Sequence, residues 1–237
     1  MSQNLLVKNP AKQALFSLNM RNVNDLFPGF APGDFAVIYG SASVTSLTSL
    51  LCVRAQLPSQ IGCLNSRVVF IDGGNAFRLY QISRLAQIHH LDPEKTLDHV
   101  YLARAFTAYQ MTALIMERLK DAVEKYNAKL VIIADIAGLF LDKDIQDEEA
   151  RRVYCQVMAY LQNFARQHQI ILIATYPPRQ NNSRSAYLQN VTCGRANVVL
   201  ALKQTTYDRE FILEKHPRFM LGTAEFPSEN LTLTDFM

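Results

Sequence analysis

A phosphate-binding loop needs backbone amides that converge on the anion, a lysine for the outer phosphates and a hydroxyl for magnesium. Between a strand and a helix these needs fix the spacing G-x-x-x-x-G-K-[ST]. In FAVIYGSASVTSLTSLLCVRAQLP, residues 35–58, the apolar run Phe35 to Tyr39 reads as a buried strand. Gly40 breaks it into a loop of small residues, and an apolar-periodic helix follows. Gly40 stands as the first glycine, but Thr45 falls where the second belongs, Ser46 where lysine belongs and Leu47 where the hydroxyl belongs. Serine brings no positive charge to a phosphate, and leucine cannot ligate magnesium. A glycine in a strand-to-helix turn also serves any α/β domain, so the rest of the chain must decide between a degenerate site and a plain turn.

The elements that would position this loop follow from periodicity. RVVFID (67–72) is a second apolar strand ending in a carboxylate, and Asp72 there reads as a turn or cap. An amphipathic helix over Phe77 to His90 follows, then the connection LDPEKTLDH, a strand from Val100 to Arg104 and a long helix from about Thr107 to Tyr126. KLVIIAD, ending at Asp135, is apolar enough to need cover on both faces, as strands of a parallel sheet do. The charged stretch 142–152 opens a helix reaching about Gln169, and IILIAT (170–175) is another buried strand. Pro177 to Ser185 reads as a loop, and NVVLALKQ, REFILEKH and TAEF as short antiparallel strands. The expectation is an α/β fold: a mainly parallel central sheet flanked by helices, with C-terminal antiparallel strands. Residues 1–28 are a lead-in segment, and 29–237 form one core domain.

Composition narrows the function classes. With 49% hydrophobic and 19% charged residues, a globular state is expected rather than disorder. A net charge of +3 permits nucleic-acid contact without arguing for it. The four cysteines form no C-x-x-C pair, so neither a disulfide framework nor a zinc site is indicated, and His89-His90 reads as solvent-edge histidines rather than a metal site. There is no signal-peptide core and no apolar run of the ~18 residues a membrane span needs, so no membrane partner and a cytoplasmic location are expected.

The order of segments resembles the core ATPase domain of the RecA/RadA recombinase superfamily, in its archaeal and eukaryotic branch, from about Gly29 to Phe226. The residues that carry the resemblance are VRAQLP, FIDGGNAFR, LDPEKTLDHVYLARAF, LVIIADIAGLF and REFILEKHP. It implies a RecA-like P-loop NTPase core in which the nucleotide determinants are mostly replaced. Ser46 and Leu47 match the loop lysine and threonine, and Gly74 the water-activating glutamate. Thr175 and Tyr176 match an Asn-Gln relay, and Asp135 the surviving Walker B carboxylate. The degenerate site is thus Gly40, Thr45, Ser46, Leu47, Gly74 and Asp135, with no catalytic residue and no metal ligand set. ATP and magnesium binding are expected to be weak or absent.

The resemblance also places Arg179, Arg184 and Arg195 in the region of a second DNA-binding loop, where no acidic residue stands among them. Tyr176 and Tyr187 flank that loop, where they either stack on unpaired bases or pack against the sheet edge. The region of the first such loop, DKDIQDEEARR, is acidic until Arg151 and Arg152. The implied role is a non-catalytic recombinase paralog, an adaptor or mediator in DNA recombination and repair. Its partners would be a recombinase or another paralog, with single-stranded DNA as a further ligand; hetero- and homo-oligomers are both open. The alternatives are a residual nucleotide-binding ATPase or switch and a KaiC-like regulator with no DNA role.

Overall fold

The computed structural model describes residues 15–178, 182–204 and 209–226. Eight strands form one sheet: β1 (Phe35–Gly40), β2 (Val68–Asp72), β3 (Val100–Arg104), β4 (Leu130–Ala134), β5 (Ile171–Tyr176), β6 (Val198–Gln204), β7 (Arg209–Lys215) and β8 (Gly222–Glu225). Their order is β3-β2-β4-β5-β1-β6-β7-β8. The first six pair in parallel and the last two antiparallel, as a RecA-like core with a C-terminal antiparallel extension requires.

The uniformly apolar strands are buried because both faces are covered. On one face Ala36, Ile38, Phe70 and Ile173 pack with helices α1 (Arg21–Leu26), α2 (Ser43–Arg54) and α3 (Leu79–Ile88). On the other, Val37, Ile71, Leu172 and Ala174 pack with α5 (Ala108–Ala113), α6 (Leu119–Tyr126), α7 (Asp147–His168) and α8 (Ser183–Arg195). A π turn, Leu114–Arg118, joins α5 to α6. Parallel register aligns the strand ends, Tyr39 opposite Tyr176 and Asp72 opposite Ala134, so the residues after β1, β2, β4 and β5 share one edge of the sheet. Open α/β sheets bind ligands at that edge. No helix of the described residues is long and apolar enough to cross a membrane.

Three local expectations differ from what is observed. The connection LDPEKTLDH contains a helix, α4 (Pro93–Asp98): the Asp92 carboxylate caps it by accepting from the Lys95 amide at 3.1 Å, and Pro93 sits in its first turn. The loop expected to run to Ser185 ends earlier, because Asn182 caps α8 through the Ser185 amide at 2.8 Å. That helix is the crossover that lays β6 parallel to β1, so β6 closes a βα unit and only its partnership with β7 is a hairpin. From the described part of the lead-in, Phe16, Leu18, Met20, Val23 and Phe27 are at most 1% exposed and pack into the core.

Candidate functional site

The loop after β1 is closed on itself. Gly40 has φ of 112°, a conformation suited to glycine, and a Cβ there would run into the Leu202 carbonyl oxygen of β6. The Ser41 amide donates to that same oxygen at 2.7 Å. Helix α2 then begins at Ser43, two residues beyond Ser41, so two of the four positions between the expected glycines, Ser43 and Val44, are already helical. The Val44 amide goes to the Ser41 carbonyl at 3.2 Å and the Thr45 amide to Ala42 at 3.1 Å. Amides that a phosphate loop would aim at its anion are here bound within the first turn.

The side chains confirm the closure. Ser46, in the lysine position, accepts from Gln81 Nε2 of α3 at 3.0 Å, and Leu47 is 1% exposed within the core. The Thr45 carbonyl accepts from the hydroxyls of Thr48 and Ser49 at 2.8 and 3.2 Å.

Opposite the loop, Asp135 follows β4 with φ of 53° and is 6% exposed. Its amide donates to Thr175 Oγ1 at 2.9 Å, and the Ile136 amide to the Thr175 carbonyl at 3.1 Å, so Thr175 clasps the end of β4. A Cβ on Gly74 would come within 2.6 Å of both Cβ and Oδ2 of Asp135. The space beside Gly74 is therefore filled by the aspartate. Asp72 has the turn role read from the sequence: its carboxylate accepts from the amides of Ala76 and Phe77 at 2.8 and 3.2 Å and lies 3.7 Å from Arg104 Nε. Among the described residues no three His, Cys, Asp or Glu side chains gather as a metal ion requires.

Among the described residues, those expected to meet DNA do not form one surface. Tyr176 is 3% exposed and its hydroxyl donates to the Ser185 carbonyl at 2.8 Å, so its ring packs in the core and offers no face to a base. Arg184 holds α8 to the acidic segment: Nη1 lies 3.1 Å from both the Asp142 carbonyl and Asp147 Oδ1, and Nη2 donates to the Ile145 carbonyl at 2.9 Å. The Arg151 guanidinium sits 4.7 Å over the Tyr187 ring, whose hydroxyl is 3.5 Å from Cys155 Sγ. Arg195, at the other end of α8 and about 17 Å from Arg184 along the helix axis, donates to Gln162 Oε1 at 3.4 Å. Arg179 lies outside the described residues.

One residue escaped sequence reasoning. Arg54 is 1% exposed, donating from Nε to the Ser17 carbonyl at 2.8 Å and from Nη2 to Cys63 Sγ at 3.2 Å. Burial lowers its pKa, and burial pushes the Cys63 thiol up. A lone arginine at the end of the apolar run LLCVRA was the available signal, since a cation there must find partners.

The family model described as Rad51 matches residues 21–195, from the first residue of α1 to the last of α8. The chain belongs to the Rad51 family. This Rad51-family chain is 34% identical over 135 residues to the meiotic recombination protein DMC1/LIM15 homolog of Mus musculus, covering 55% of this chain and 40% of that protein. With the Homo sapiens DMC1/LIM15 homolog the identity is 33% over 135 residues, with the same shares. It is 32% identical over 102 residues to the DNA repair and recombination protein RadA of Cenarchaeum symbiosum (strain A), covering 43% of this chain and 25% of that one. The matched stretch thus spans two fifths or less of these relatives.

Proposed function

We propose that this Rad51-family chain is a non-catalytic recombinase paralog, an adaptor in DNA recombination and repair that binds a recombinase or another paralog, with single-stranded DNA as a further ligand. The relatives' names place them in recombination, which supports the process. The observation that carries the non-catalytic part is the start of α2 at Ser43, which commits the loop amides to the helix. Burial of Leu47 and the filling of the Gly74 space by Asp135 point the same way. A reducing compartment such as the cytoplasm suits the four unpaired cysteines.

The test is binding of the purified chain to the recombinase of the same organism, with and without ATP and magnesium. An affinity indifferent to nucleotide is expected. Binding that requires ATP on this chain, shown by its loss in Asp135→Ala, replaces the adaptor with a nucleotide switch.

A further inference from the structure

Beside the closed loop lies an open cleft of about 630 Å3, lined by Phe77, Arg78, Leu79, Tyr80, Gln81 and Arg84. Helix α3 buries Ile82, Leu85 and Ala86 on its inner side, yet Tyr80 is 88% exposed and Leu79 47%. Arg78 is exposed and donates from Nη1 to the Asn75 carbonyl at 2.8 Å, and Arg84 is exposed one helical turn beyond Tyr80. From Gly73 to Leu91 the chain carries these two arginines and no carboxylate. Tyrosine and arginine around an apolar floor are the composition of a protein interface.

Charge and lining together select the occupant. Two guanidiniums neutralise about two phosphates, too few to hold a strand against salt. Phe77 and Leu79 supply apolar lining that a phosphate backbone does not use. We infer that this cleft docks an acidic segment of a protein partner carrying an aliphatic or aromatic anchor. The anchor packs on Tyr80 and Leu79, and the acidic flank pairs with Arg78 and Arg84. Gln81, a wall of the cleft, holds Ser46, so the closed loop and the docking surface adjoin. This inference rests on the adaptor reading above and assigns that adaptor's contact surface.

The experiment measures binding of the full chain to the recombinase of the same organism by biolayer interferometry at low and high salt. Tyr80→Ala and the pair Arg78→Glu with Arg84→Glu are expected to weaken binding by at least about tenfold, with unchanged circular dichroism. Tyr80→Phe and Arg195→Ala are expected to bind like wild type, and high salt to weaken wild type more than the pair Arg78→Glu with Arg84→Glu. Unchanged affinity of the cleft variants overturns the inference and leaves the adaptor reading standing. Cleft variants that lose a labelled oligo-dT but keep the recombinase assign the cleft to nucleic acid and overturn it too. A wild-type chain that binds no recombinase overturns both.

Discussion

Asp135 occupies the room that a side chain at Gly74 would need. The ideal Cβ at position 74 falls 2.6 Å from the Asp135 Cβ and Oδ2, closer than real Cβ atoms come to any neighbour. The resemblance matches these two positions to the Walker B carboxylate and the water-activating glutamate, and in this chain they form one packing unit.

Gly74→Ala is therefore expected to destabilise the fold by about 1–3 kcal/mol, as overpacking does. Asp135→Ala is expected to absorb part of that cost in the double variant, since residues in contact couple. Urea unfolding of the four proteins measures the cycle; strict additivity contradicts the shared space. Gly74→Glu is expected to give no ATP hydrolysis.

Restoring the loop's lost side chains is expected to fail. Ser46→Lys with Leu47→Thr returns the charge and the hydroxyl, but the amides remain within the first turn of α2. Leu47→Thr also removes a core leucine and buries a hydroxyl, at a cost of about 2–4 kcal/mol. Saturable ATP binding by the double variant contradicts the closure.

The two described arginines of the α8 region separate by stability. Arg184→Ala breaks contacts to Asp142, Ile145 and Asp147, and about 1–3 kcal/mol of destabilisation is expected. Arg195→Ala is expected to stay within about 0.5 kcal/mol of wild type. Thermal melts of both decide it, and equal effects contradict the anchoring role of Arg184.

Acid is expected to loosen the C-terminal extension. Burial lowers the pKa of His216, Asp34 opposes that shift and Arg218 adds to it. With the folded value beneath the unfolded one of ~6.5, protonation favours unfolding, so stability present above that pH is lost as the pH falls below it. The Tm is expected to drop between about pH 7.5 and 5.5 and to drop less in His216→Asn, which keeps an acceptor for the Arg218 and Phe219 amides. An equal slope in both proteins removes His216 as a cause.

Most of the fold was legible because most of its strands are apolar runs and helices α3, α6 and α7 are strongly periodic. Helix α8 was not, because two of its three buried residues are Ser185 and Thr192, which pack by hydrogen bonding rather than by an apolar stripe. The Asn182 cap was the legible sign. At the loop after β1, the residue types Ser46 and Leu47 could be counted from Gly40. The loop's closure was not legible, because the helix start and the approach of Leu202 to Gly40 depend on β6, some 160 residues away. The partners of Arg184 and Arg195 were not legible, because sequence shows a charge and hides what it pairs with.

The central claim, a RecA-like core whose phosphate loop is closed, is tested most directly by isothermal titration of ATP with magnesium into the purified full chain. No saturable heat is expected up to about 1 mM nucleotide, a concentration at which a Kd of about 1 mM half-fills the site. Saturable binding with one site per chain, abolished by Asp135→Ala, would contradict it.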